Sequence, residues 1–268
     1  MSGMMMHVLM HYLMIGAVAG FLSGLLGIGG GLFVVPALAF TFREIGFPNN
    51  IIMHLAVGSS FMIMVITASR AVLAHLRYAL PFWYIFQQLL PGVIVGTLGG
   101  AIIAHWLHSS TLSVIFSAFV MIVAIEIFFF PHVRLAKQLP APPLVAAVGG
   151  FIGLKSGLLG VGGGAITVPF LTICDVSMRQ AVVVSAAVSL TVAVVGTLAF
   201  GIIGDSASHQ IDWTFGYIYF PAVFGVSIGS VIFAPIGTKV SHWMPVPVLK
   251  KIFGIFLVMV SVHMFLNR

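Results

Sequence analysis

The sequence predicts an all-α polytopic membrane protein built from two homologous halves, and three observations carry that prediction. Hydrophobic residues make up 60% of the chain and charged residues 6%, against a usual 25% or so, and the mean hydropathy is +1.20. Apolar stretches long enough to cross a bilayer follow one another from residue 7 to residue 266, each meeting the roughly 20 residues that a span needs. Finally, residues 23–36 (S-G-L-L-G-I-G-G-G-L-F-V-V-P) and 156–169 (S-G-L-L-G-V-G-G-G-A-I-T-V-P) agree at ten of fourteen positions, at an offset of 133 in a chain of 268 residues.

The elements follow in order. Residues 7–42 form a long apolar unit interrupted in its middle by the first glycine phrase and closed by Thr41-Phe42-Arg43-Glu44. Stretches 51–76, 82–104 and 111–130 come next, the last stopped by Pro131. The proline-rich, polar stretch 131–143 reads as the hinge between halves. The second half repeats the order with 144–173, which holds the second phrase, then 181–203, 214–236 and 247–266. The chain thus divides into repeats 1–135 and 136–268 within one integral membrane domain. Pro91 with Gly99 is matched to Pro221 with Gly229, and Val57-Gly58-Ser59-Ser60 to Val184-Ser185-Ala186-Ala187.

The basic residues carry topology. They are scattered singly at segment ends, which argues for orientation rather than nucleic-acid binding. A single crossing by each phrase-bearing unit would split Lys and Arg evenly between the two sides. If each unit instead returns to its own side as a hairpin, one side collects Arg77, Arg134, Lys137, Arg179, Lys239, Lys250 and Lys251, leaving Arg43 and Arg268 on the other. The positive-inside rule selects the hairpins, with the basic side cytoplasmic and both termini outside. A hairpin plus three spans reverses the second half, so the halves are inverted repeats with eight to ten apolar segments. Hairpin arms of about 15 and 11 residues would be too short to span, which favours re-entrant arms. The first residues lack the basic flank of a cleavable signal peptide, so the N-terminus is expected to be retained.

Glycine costs about 1 kcal/mol relative to alanine inside a helix, so Gly27, Gly29, Gly30 and Gly31, and likewise Gly160, Gly162, Gly163 and Gly164, mark helix breaks. Non-helical backbone at membrane depth is tolerated only when buried in protein or lining a polar cavity. Helices restarting at Leu32 and Ala165 would aim free N–H groups and a positive dipole end at that place, which suits an anion. Ser23, Ser156, Ser59 and Ser60 add hydroxyls, and Lys155, whose counterpart is Leu22, is either an anion contact or a snorkelling or pairing group. Tight helix packing is the competing reading of the glycines, and their duplication favours a substrate site. Arg70 reads as snorkelling, and Glu126 as a structural pair or interfacial residue ahead of a proton-coupling one. No dinucleotide fingerprint occurs in both phrases, and the ten histidines and single cysteine show no metal-ligand spacing. His54 and His75, and Trp83, Tyr84, Trp106, Trp213 and Trp243, sit at segment ends as interfacial residues do. With five acidic residues, no catalytic constellation is visible and an enzyme is not expected.

The pattern G-x-x-S-G-x-x-G-x-G-G-G-x-x-x-x-P, from Gly20 to Pro36 and from Gly153 to Pro169, resembles the sulfite exporter family of the TauE/SafE type over essentially the whole chain. That resemblance implies secondary transport of small anions, often sulfur-containing ones such as sulfite or organosulfonates, across the bacterial inner membrane. The family's Gly-Thr-Ser appears only loosely as Gly58-Ser59-Ser60 and is lost in Ser185-Ala186-Ala187, which bears on substrate identity. The expected partners are a small anion, the lipid bilayer and a candidate coupling proton. No cofactor, metal or nucleic acid is expected. An anion channel and a non-transporting membrane subunit are the alternatives to a carrier.

Overall fold

The computed structural model describes residues 2–26, 30–76, 82–129, 139–204, 211–241 and 246–266. Most of these are helical: α1 (Ser2–Leu26), α2 (Gly31–Ile45), α3 (Ile52–Leu76), α4 (Trp83–Trp106), α5 (Ser109–Phe129), α6 (Pro142–Leu159), α7 (Gly164–Ile173), α8 (Met178–Ile203), α9 (Phe220–Ser241) and α10 (Val246–Leu266). A two-stranded antiparallel hairpin, β1 (Thr214–Phe215) and β2 (Ile218–Tyr219), precedes α9. Six helices, α3, α4, α5, α6, α8 and α9, are long and apolar enough to cross a membrane. The chain is therefore an all-α polytopic membrane protein with one small β-turn element. Trp83, Tyr84, Trp106 and Trp213 are exposed at the ends of elements, where amphipathic rings sit at a bilayer surface.

The helices pair across the halves. The most extensive contacts join α1 to α9 and α4 to α6; α3 packs on α8, α5 on α10, α4 on α8, α3 on α9, α2 on α3, and α7 on α8. Exchanging the first five helices with the last five maps this set onto itself. Glycine makes the two largest seams: Cβ atoms at Gly16 and Gly20 would collide with the backbone of Val226 and Ser230, and ones at Gly149 and Gly153 with Leu89 and Val93. In lipid, where helices gain nothing from hydrophobic burial against one another, such backbone-to-backbone approach supplies the van der Waals attraction. Short polar side chains add to it. Ser230 Oγ donates to Gly16 O (3.1 Å) and Ser261 Oγ to Ser117 O (2.8 Å).

One end of the bundle gathers the starts of α1, α3 and α5 with the finishes of α4, α8 and α10. Tyr12 and Phe42 stack edge to face at 6.5 Å there, so α2 returns alongside α1, and Tyr219 packs on both rings. His54 Nε2 meets Ala104 O at 2.9 Å, and His105 Nδ1 meets the Tyr217 hydroxyl at 3.2 Å. Tyr217 N–H donates to Phe200 O (3.1 Å), and Ser113 Oγ reaches Met264 O (3.4 Å). Because α3 begins where its counterpart α8 ends, corresponding helices of the two halves run oppositely.

Four expectations are corrected. The apolar stretch read as starting at residue 214 opens instead with the β hairpin, because Gly216 takes a left-handed φ of +57° and turns the chain between pairs of strand-favouring residues. The first arm of the second half is not too short to span: α6 is an apolar helix of 18 residues, since its internal glycines are paid for by close packing on α4. His54 is buried rather than interfacial, stacked on Tyr217 at 5.0 Å. Finally, Gly229 corresponds to Gly92, not to Gly99. Cβ atoms at Gly92 and Gly229 would collide with Ala146 O and Leu13 O, and those two residues are 133 positions apart, like the phrases. The slip is seven residues, about two helical turns, so both registers present the same helix face. Arg77, Arg134, Lys137, Asp205, Trp243 and Arg268 lie outside the described residues.

Gly96 and Gly99 of α4 test the seam. A Cβ at Gly96 would collide with Gly150 O, whereas one at Gly99 would meet only a Leu154 methyl at 3.9 Å. Gly96→Ala is expected to destabilise the protein by about 1–3 kcal/mol through overpacking. Gly99→Ala, gaining helix propensity in open space, should leave thermal unfolding in detergent unchanged or slightly raised.

Candidate functional site at the glycine breaks

The second break is fully described. Helix α6 runs four residues into the phrase, as far as Leu159, and stops at Gly160, whose φ of +69° is left-handed. Gly160 N–H bonds back to Ser156 O (3.0 Å), and its carbonyl accepts from Ser60 Oγ of α3 (3.0 Å). Val161, Gly162, Gly163 and Gly164 are buried. Cβ atoms here would sit 3.0 Å from Val57 Cα at Gly160, 3.0 Å from Ser189 Oγ and 3.1 Å from Met64 Sδ at Gly162, and 2.6 Å from Val188 Cγ1 at Gly163. The break is thus held between α3 and α8, with no space for side chains at its glycines.

The first break meets the second. Gly27 and Gly29 lie outside the described residues, while Gly30 caps the start of α2 and Gly31 is its first residue. A Cβ on Gly31 would stand 2.8 Å from Gly160 O, 3.0 Å from Val161 Cα and 3.5 Å from Gly162 N. The two phrases therefore touch through their backbones. No side chain caps α2 or α7, so the first amides of each helix have no intrahelical acceptor. At 15 and 10 residues, α2 and α7 are about 22 and 15 Å long, and they run from this meeting point to opposite ends of the bundle. Pro36 and Pro169 lie inside them and release the carbonyls of Leu32 and Ala165 from helical bonding.

The other predicted site residues divide. Ser23 is half-buried, its Cβ 3.9 Å from where a Gly30 Cβ would be. Ser156 corresponds to it and lies one turn beyond Ile152, which packs on Gly163; its hydroxyl is fully buried and without a hydrogen-bond partner among the described residues. Ser60 binds the break itself. Ser59 does not join it, because its Oγ accepts from Tyr219 N–H (3.0 Å) and ties down the β hairpin. Lys155 is buried, with Nζ 4.6 Å above the centre of the Phe119 ring and no hydrogen-bond partner among the described residues. Phe119 is the middle residue of α5, so Nζ lies level with the middle of that helix and not at an end, where snorkelling would take it. Arg70, in contrast, is exposed. Met64 and Ser189 were not legible as site residues, since each sits in an ordinary apolar span with no glycine beside it.

The described part of the first phrase thus touches the second break, and both helix starts are uncapped among the described residues; a family model described as "Sulfite exporter TauE/SafE" matches residues 12–264. The chain belongs to the sulfite exporter TauE/SafE family. That is a family of membrane transporters, not of enzymes. Relatives span nearly the whole chain. A probable membrane transporter protein of Haemophilus influenzae is 32% identical over 256 residues, covering 95% of this chain and 97% of the relative. Another from Methanocaldococcus jannaschii is 26% identical, covering 84% of this chain and 80% of the relative. The probable membrane transporter protein YunE of Bacillus subtilis is 23% identical, covering 84% and 88%. No solved structure matches significantly.

Two substitutions weigh the clamp on the second break. Gly160→Ala puts a Cβ on a left-handed residue, at a cost of about 1–2 kcal/mol, and Ser60→Ala strands a buried carbonyl at about 1–3 kcal/mol. Both should lower the unfolding temperature of the purified protein, and the double variant should lose less than the sum.

Proposed function

We propose that this protein is a secondary transporter of small anions, with sulfur-containing anions such as sulfite or organosulfonates as its substrates, working by alternating access around the paired glycine breaks. The observation that carries the reading is the contact of Gly31 with Gly160 and Val161, which brings two uncapped helix starts to one buried place. Each start offers free amides and the positive end of a helix dipole to an anion. At Gly30, where a Cβ would meet nothing nearer than 3.7 Å, the bare backbone lets a ligand approach those amides, while Gly31, Gly162, Gly163 and Gly164 keep the two starts close. Ser23, Ser60, Ser156 and Lys155 complete the site, with Gly27 and Gly29 assigned to it from the phrase.

The protein sits in the bacterial inner membrane with its Lys- and Arg-rich side in the cytoplasm and its halves inverted about the site. The seams shape the motion. Each half's first helix is locked backbone to backbone against the other half's fourth. The moving bodies are therefore the pairs α1 with α9 and α4 with α6 and what they carry, rather than residues 1–135 against 136–268.

Purified protein in proteoliposomes should give saturable uptake of sulfite or an alkanesulfonate, with counterflow; flux that neither saturates nor counterflows marks a channel. Gly30→Leu is the discriminating variant, because the nearest atom to a Cβ at that position is 3.7 Å away. It should assemble normally and lose at least about 90% of the flux, and a Gly30→Leu protein with full flux would remove the breaks from the substrate path.

A further inference from the structure

From the placement of Lys155 we infer that this site is built for a single negative charge: Lys155 is the counter-ion of the bound anion, and it selects monoanions over dianions. This rests on the anion-carrier reading and concerns the charge of the substrate, which that reading leaves unspecified. Lys155 lies one residue before Ser156 on α6, and both Nζ and the Ser156 hydroxyl are buried donors without a hydrogen-bond partner among the described residues. A buried donor that lacks an acceptor forfeits its hydration with nothing in return. Two such donors on adjacent residues, beside a break whose helix starts also lack acceptors, describe a place completed by an acceptor-only ligand. An anion is that ligand.

The count of charges then decides its valence. Lys155 is the one Lys, Arg, Asp or Glu side chain among the buried residues described. Its counterpart in the first half is Leu22, so the duplication does not supply a second cation. The groups facing Nζ are the Phe119 ring of α5, at 4.6 Å, and, more distantly, the half-buried Glu126 carboxylate of the same helix, whose field reaches it without an ion pair. Glu126 is seven residues from Phe119, about 10 Å along the helix. A ring face eases a cation but does not neutralise it. In a low-dielectric interior the cost of burying net charge is what a bound counter-ion removes. In formal charge, to which the helix dipoles add nothing net, a monoanion on Lys155 brings the immediate site to neutrality, whereas a dianion leaves it negative, in the field of Glu126.

The test is a transport panel on full-length protein in proteoliposomes. It uses methanesulfonate and acetate as monoanions against sulfate, thiosulfate and malonate as dianions. Wild type should transport the better monoanion at least about tenfold more efficiently than any dianion. Lys155→Met, similar in length and apolar in an apolar setting, should raise the monoanion KM at least about tenfold and flatten that preference. Lys155→Arg should keep the preference. Lys155→Gln repeats the charge removal if the Met variant does not assemble. Glu126→Gln, which removes a competing negative charge, should lower the monoanion KM several-fold. Wild-type preference for dianions would overturn the inference, as would a Lys155→Met or Lys155→Gln protein with wild-type KM and selectivity. Absence of flux for every anion in wild type would overturn the carrier reading itself.

Discussion

A main chain that leaves its helix inside hydrocarbon carries N–H and C=O groups with no water to bond, each costing several kcal/mol if left bare. The rest of this fold is arranged around that constraint at two places. At the second break, Gly160 turns its amide back to Ser156 and offers its carbonyl to Ser60, so one helix end is satisfied partly by itself and partly by α3. Helices α3 and α8 then lie on either side of the phrase, close enough that no Cβ fits at Gly162 or Gly163 without displacing Ser189, Met64 or Val188. Glycine is required here less for freedom of φ than for thinness. Only Gly160 of the second phrase takes a positive φ.

The same thinness explains the seams. Gly16 and Gly20 of α1 and Gly149 and Gly153 of α6 lie upstream of the phrases, on helices that stay regular, and each lets a neighbouring backbone come within contact. One residue type thus serves two purposes along one helix: close packing where the helix is intact, then a break where it is not. The packing glycines determine which helix holds the arm, and hence where the tip of the arm is presented. Since α1 is held by α9 and α6 by α4, each tip is positioned by the opposite half. Neither half could form the meeting point of Gly31 with Gly160 alone.

Much of this was legible in the sequence because it rests on composition and on exact repetition. The membrane class followed from hydropathy, and the duplication from the two phrases. Charge bias pointed to arms that return to their own side, and in the first half Tyr12 of α1 packs against Phe42 of α2. What was not legible has physical causes. A glycine that breaks a helix and one that packs a helix are the same letter, so residue type alone does not say that Gly157 of the second phrase lies within α6 while Gly160 ends it. Register along α4 and α9 slid by two turns because a membrane helix repeats small residues on one face at that spacing. Ser59 and Ser60 are neighbours with opposite directions, one towards the hairpin and one towards the break. The clamp residues Met64 and Ser189 are specified only by which helices cross the phrase, which is tertiary information.

The duplication also locates function by where it fails. Positions that set the scaffold are retained at the 133-residue offset: Gly16 with Gly149, Gly20 with Gly153, Ser23 with Ser156, Gly31 with Gly164, Pro36 with Pro169. Other positions beside the break are not, with Ala19 against Ile152 and Leu22 against Lys155. A two-fold scaffold that kept strict symmetry at its centre would present two ammonium groups or none. Two would repel each other across the touching tips, and none would leave an anion to backbone dipoles alone. One cation at the centre of an otherwise repeated frame avoids both, and it does so without disturbing any glycine that the frame depends on. Symmetry is therefore what the packing demands, and under the proposed anion-carrier reading the break in symmetry at Lys155 is what a single charged ligand demands.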